Sequence, residues 1–189
     1  MPNNVTTKIK FYGIQSNIDK VLLLIEGNGG ERIDFDKLIP MPDHIYRGNL
    51  GEEERQLHGA NNWYDWRIEN WGTKWNAYDT SLNKDVNTIV FDTAWSCPFP
   101  VLEELAKFCA HCNVKFIGLW ADEDMGHNAG AFSSDYDENG YKFNYRKVKD
   151  RSNAAYTIYT EVKGHCNCLA KDKNGNWVRH DCFNCPNPC

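Results

Sequence analysis

The chain has 189 residues, 41% of them hydrophobic, which suits one domain plus an appendage with a core that needs no disulfide staples. Its formal net charge of -5 gives no electrostatic footprint for nucleic acid over the whole chain, and the acid excess is too mild for mimicry of DNA. No segment approaches the roughly 20 apolar residues of a membrane span, and the start lacks a basic stretch followed by an apolar one, so a soluble cytoplasmic protein is expected.

In chain order, Thr7 to Gly13 alternates as a strand and ends on glycine. Ser16 or Asn17 can cap a helix carrying Ile18, Val21, Leu22 and Ile25, closed by Gly27-Asn28-Gly29-Gly30. Asp34 to Pro42 reads as extended, since its two prolines exclude helix. One helix is expected from Glu52 to Asn70, then strands at Lys74 to Asp79 and Thr88 to Thr93. Pro98 to Cys112 is a second amphipathic helix with Val101, Leu102, Leu105, Ala106, Phe108, Cys109 and Cys112 inward. Val114 to Trp120 is a nearly continuous apolar run and reads as a strand buried on both faces. Ala129 to Ser134 and Tyr141 to Lys147 form a hairpin around Glu138-Asn139-Gly140.

This order predicts an α+β fold. It is the ferredoxin-like split βαβ arrangement, an antiparallel sheet with both helices on one face. A helical, Trp-rich insertion spans residues 31–73. The main domain is placed at 5–150. Residues 151–189, where five of the eight cysteines crowd together, form a Cys-rich appendage built on a C-terminal hairpin.

Several words of the sequence carry a family resemblance. They are Phe35-Asp36-Lys37-Leu38-Ile39-Pro40-Met41-Pro42, then Asn62-Trp63-Tyr64-Asp65-Trp66, then Glu69-Asn70-Trp71-Gly72-Thr73-Lys74-Trp75-Asn76-Ala77. Phe91-Asp92-Thr93-Ala94-Trp95-Ser96 and Glu123-Asp124-Met125-Gly126 follow in order. Together they make the chain resemble the YubB-type ferredoxin-like family of phage and conjugative-plasmid proteins, over about residues 5 to 135. Two departures stand out: Asn4 and Val5 replace the Trp and Cys with which members usually begin, and the Cys-rich tail is outside the family pattern. The resemblance implies the fold and a genetic setting, an accessory protein of a mobile element among genes that blunt host defence. It implies no catalytic motif.

Four of the seven tryptophans fall between positions 63 and 75. Trp63, Trp66 and Trp71 lie near helical spacing, so the run is either a buried face or an aromatic anchor patch for another protein, since Trp, Tyr and Arg dominate interface hot spots. Tyr64 and Arg67 are the better candidates for exposed contact, whereas Trp75 and Trp95, linked to strands, read as core. The binding set to test is therefore Trp63, Tyr64, Trp66, Arg67 and Trp71.

Asp65, Glu69 and His127 could serve acid–base chemistry only in a shared cleft. Gly-x-Ser-x-Gly, phosphate-loop and His-Glu-x-x-His motifs are missing, and no catalytic residue is nominated. Cys109-Ala110-His111-Cys112 falls on an inward helical stripe, where small buried cysteines are the commoner explanation. A nucleic-acid module is the rival, using the sheet and the basic strip Lys142 to Arg151, although Val114 to Trp120 lacks the aromatic–basic pattern of an RNA-binding strand.

In the tail, Cys166-Asn167-Cys168 and Cys182-Phe183-Asn184-Cys185 flank a hairpin turn at Lys173-Asn174-Gly175-Asn176. A hairpin there delivers Cys166, Cys168, Cys182 and Cys185 to one point, as tetrahedral zinc requires, with His165, His180 or Cys189 as substitutes. Structural zinc and disulfides or free thiols both remain open. The expectation is a stoichiometric protein-binding inhibitor in the host cytoplasm, directed at a component of a host defence system and without enzymatic activity of its own.

Overall fold

The computed structural model describes residues 3–164 and 168–179. Strand β1 (Asn4–Tyr12) alternates as its sequence requires, burying Val5, Thr7, Ile9 and Phe11 on one side. Lys8, Lys10 and Tyr12 point to the other. Helix α1 (Gln15–Ile25) buries Ile18, Val21, Leu22 and Ile25, the stripe its spacing predicts.

The insertion departs from expectation in two places. Asp34 accepts a hydrogen bond from the Asp36 amide at 3.0 Å and starts a single helical turn, α2 (Phe35–Leu38), just before the prolines that forbid a longer one. Phe35 is thereby fully buried, edge-on to Trp71 and Phe91 at 5.8 Å each. The long helix expected at 52–70 is two helices, α3 (Glu52–His58) and α4 (Trp63–Trp71). Gly59, at φ 54°, ends the first, and the Asn62 side chain caps the second by accepting from the Tyr64 and Asp65 amides.

Strand β2 (Tyr78–Asn83) begins later than expected. Asn76 is engaged elsewhere, accepting from the Phe35 amide at 2.9 Å and donating to Asp34 at 2.6 Å. Then follow β3 (Thr88–Ala94), α5 (Phe99–His111), β4 (Lys115–Asp122) and the hairpin β5 (Gly130–Asp137) and β6 (Gly140–Lys147). One sheet results, in the order β2-β3-β1-β4-β5-β6, antiparallel throughout. The inner order β4-β1-β3-β2 with α1 and α5 on one face is the ferredoxin-like arrangement, and β5 and β6 extend it. Val101, Leu102, Leu105 and Cys109 of α5 meet Ile9, Phe91 and Phe116 in the main core.

The sequence reading missed helix α6 (Asn153–Lys163). Ser152 caps it, accepting from the Ala155 amide at 3.2 Å, and its stripe of Ala155, Tyr156, Tyr159 and Val162 packs on the opposite side of the sheet from α1 and α5. That second cluster takes in Ala121, Met125, Ala129, Cys168 and Leu169. Strands β7 (Leu169–Lys171) and β8 (Trp177–Arg179) pair across the Lys173–Asn176 turn, and the Trp177 indole donates to Thr157 of α6 at 2.9 Å.

Helix α6 covers only the Ala121 end of β4. The strand expected to be buried on both faces is therefore half open: Phe116 and Trp120 are core, while Ile117 is 49% exposed.

Candidate functional site

Strand register brings the second face of the sheet into two clear rows. Val90, Lys8, Leu119, Ala131 and Arg146 lie side by side, and next to them Thr88, Lys10, Ile117, Ser133 and Asn144. With α6 as a wall, these rows form a cleft of about 860 Å³, the size of a site for several side chains or one small ligand. Its floor is aliphatic, from Val90, Ile117, Leu119 and Ala131. Its rim is cationic.

Glu161 of α6 pairs with Lys8 at 2.6 Å, and its backbone carbonyl accepts from the same ammonium at 3.1 Å, so this lysine anchors the wall. Lys163 is pinned deeper, donating to Thr6 Oγ1 at 2.8 Å and the Asn4 carbonyl at 3.2 Å. Burial pushes its pKa down, against the pull of Asp92, Glu123 and Asp122. Lys10 and Arg146 make no ion pair among the described residues, leaving two cations for an incoming group. The two rows carry no aromatic ring, and Tyr12 at the end of β1 stands beside them on the same face, its ring 5.6 Å from the Lys10 ammonium.

The aromatic run is sorted differently. Trp71 is 1% exposed, packs edge-on to Phe35 and Trp66, and donates from its indole to the Ile39 carbonyl at 2.9 Å. It has no surface to offer a partner. Trp66 packs against the same core. Arg67 lies between Trp63 and Trp71, 5.3 and 4.9 Å from their centroids, with its Nε buried and without a partner. Burial is the main cause holding its pKa below the ordinary arginine value. Trp63 is half-buried, and its indole donates to the Gly48 carbonyl at 3.0 Å. The five residues thus make a packed seam and not one exposed patch; Tyr64 stands at its outer edge. Trp95, expected in the core, is 44% exposed with φ 69°, a backbone region that bulky residues avoid.

Asp65, Glu69 and His127 do not meet in the cleft, which none of them lines. Asp65 accepts from Asn62 at 2.6 Å, and Glu69 faces solvent. His127 Nε2 accepts from Arg151 Nε at 3.0 Å while Nδ1 faces Asp150 at 3.4 Å, so both ring nitrogens are engaged. Cys109 is fully buried on α5 and Cys112 partly so, and burial raises the pKa of the Cys97 and Cys109 thiols far above the ordinary value.

The strip Lys142 to Arg151 is divided. Lys142 pairs with Asp137 and Lys147 with Asp150, while Arg146 turns into the cleft. Cys168 is buried beside Leu169 and the α6 tyrosines, and Cys166, Cys182 and Cys185 lie outside the described residues. Among the described residues no group of three His, Cys, Asp or Glu side chains is arranged to hold a metal ion, and no helix is long and apolar enough to cross a membrane.

Residues 71–154 match the family model described as a ferredoxin-like domain in Api92-like protein. The matched stretch runs from the end of α4 through β6 to the start of α6, so it takes in the cleft's β3, β4, β5 and β6. Neither the curated proteins nor the solved structures contain a match.

The residues that sequence reasoning missed are Lys8, Lys10, Val90, Ile117, Leu119 and Arg146. A signal for them existed. In β1 and β4, Lys8 and Lys10, and Ile117 and Leu119, alternate with core residues toward one shared face. That face becomes a cleft only because a late helix walls one end.

Proposed function

We propose that this chain is an accessory protein of a phage or other mobile element that binds a host protein stoichiometrically, with the open sheet face as its docking surface. The target we favour is a component of a host defence system, met in the host cytoplasm. The genetic setting rests on the YubB-type resemblance, while the matched family model supports the ferredoxin-like domain.

One observation carries the docking reading: an aliphatic floor whose rim holds Lys10 and Arg146 outside any ion pair, with Tyr12 at the end of β1 as the one ring that the central strands turn to this face among the described residues. Single-stranded nucleic acid needs successive stacking platforms on such a sheet, and here β1 offers one ring, Tyr12, beyond Lys8 and Lys10, while β3 offers Thr88 and Val90. The chemistry instead fits a polypeptide segment with aliphatic anchors flanked by carboxylates. Burying the exposed half of Ile117 contributes about 1 kcal/mol, and neighbouring floor residues add comparable amounts. Lys10 and Arg146 then select an acidic flank.

The test is capture of host proteins on the tagged chain after nuclease treatment, comparing wild type with Ile117→Glu/Arg146→Glu and with Leu57→Glu on α3. A stoichiometric partner retained by wild type and Leu57→Glu but lost from the cleft variant supports the reading. Partners that vanish with nuclease, or binding that falls steeply with salt, would replace it with the nucleic-acid module. The tail adds a separable proposal, a structural zinc held by Cys166, Cys168, Cys182 and Cys185, which folds the tail and leaves no open coordination position for catalysis.

A further inference from the structure

Away from the sheet cleft, one lysine is surrounded by rings. The Lys74 ammonium lies 4.7 Å from the centroid of Trp75, 5.3 Å from Trp95 and 5.8 Å from Tyr64. It makes no hydrogen bond and no ion pair among the described residues. Three ring faces around one ammonium is the geometry by which proteins recognise alkylammonium groups, through the negative ring faces.

Contacts other than Lys74 hold the rings in place. Thr73 is fully buried and donates to the Ala94 carbonyl at 2.8 Å, and the Ser96 hydroxyl donates to the Gly72 carbonyl. These two bonds clamp the segment carrying Trp75 against the segment carrying Trp95. Trp75 packs edge-on to Tyr78, and Tyr64 edge-on to Trp63. The Trp95 amide donates to the Asn3 carbonyl at 2.8 Å and its carbonyl accepts from Asn128 at 3.4 Å, holding the strained backbone that presents the indole outward. Removing the Lys74 side chain therefore leaves the three rings where they are.

We infer that Tyr64, Trp75 and Trp95 form an alkylammonium-binding cage that Lys74 occupies from within the chain, and that its external ligand is a lysine side chain, plain or N-methylated, of a partner polypeptide. Lys74 is itself the demonstration that a four-carbon ammonium fits. Tethered to a neighbouring residue, it competes at high effective concentration, so the resting site is plugged. An external lysine must displace it, and methylation favours the newcomer by weakening its hydration without removing its charge. The Arg55 guanidinium, 5.5 Å from the Tyr64 ring, adds a second cation that any ligand must share that ring with.

The experiment uses the full chain and follows the Trp75 and Trp95 indole N–H signals by NMR during titration. The probes are N-acetyl-lysine methylamide, its ε-trimethyl form, the uncharged analogue with carbon in place of the ammonium nitrogen, and phosphocholine. In Lys74→Ala the trimethyl probe should saturate with a roughly millimolar dissociation constant, at least about tenfold tighter than in wild type. Lys74→Ala/Trp95→Ala should lose that binding while keeping the remaining indole signals dispersed. Absence of saturable shifts in Lys74→Ala, equal binding by the uncharged analogue, or equal affinity with and without Lys74 would each overturn the cage. Tighter binding of phosphocholine than of either lysine probe would overturn the lysine assignment.

Discussion

Trp95→Gly should cost only about 1 kcal/mol, whereas Trp71→Ala should be among the most damaging changes in the insertion. For Trp71 the loss combines a buried indole, its bond to the Ile39 carbonyl and its edge contacts with Phe35 and Trp66. Such truncations cost about 3–5 kcal/mol. For Trp95 two terms oppose each other. The indole is 44% exposed, so roughly 100 Å² stays buried, worth about 2.5 kcal/mol. Glycine relieves a left-handed backbone at φ 69°, worth about 1–2 kcal/mol. The net loss should be about 1 kcal/mol. Urea denaturation followed by far-ultraviolet circular dichroism measures both variants without relying on tryptophan emission. A loss of 3 kcal/mol or more for Trp95→Gly, matching Trp71→Ala, would show that the strained tryptophan is a structural element and refute its reading as a presented ring.

Gly118→Ala should destabilise by about 1–3 kcal/mol, lowering the melting temperature by roughly 2–10 °C in calorimetry, because the added methyl would sit 2.1 Å from the Phe132 ring and 2.7 Å from the Lys8 carbonyl oxygen. The Tyr78 phenol, raised to about 12 chiefly by burial and then by Asp92, should be missing from the ultraviolet titration of Tyr78→Phe at that pH. Its folded pKa stands above the unfolded value near 10, so its contribution is complete below about pH 10 and is lost as pH rises through about 12. Cys97 and Cys109 should resist alkylation at pH 8 in the folded protein and react once it is unfolded, as peptide mapping would show. Metal analysis of the purified chain should find one zinc per molecule, falling to none in Cys182→Ser/Cys185→Ser.

The ferredoxin-like frame was legible because its signals are local. Ile18, Val21, Leu22 and Ile25 mark one helix, Val101 to Cys109 another, and β1 alternates cleanly. The break between α3 and α4 was harder to see, since Gly59 and Asn62 sit inside a continuous helical pattern and act through a positive φ and a cap. Helix α6 escaped because its stripe is alanine and tyrosine, which reads as polar chain. The site was obscured for a related reason. Ile117 and Leu119 look like core from their own strand; α6, more than 30 residues further on, covers one end of that face and leaves the rest open. The tryptophan run announced itself by composition, yet composition does not separate Trp71, sealed in the core, from Trp95, held out at the surface.

The most direct test of the account places a photo-cross-linking benzoyl-phenylalanine at position 117 in the cleft, with position 57 on α3 as the control, inside host cells. The account predicts one cross-linked host polypeptide from position 117, insensitive to nuclease and missing from position 57. Cross-links to nucleic acid from position 117, or the same protein products from both positions, would contradict it.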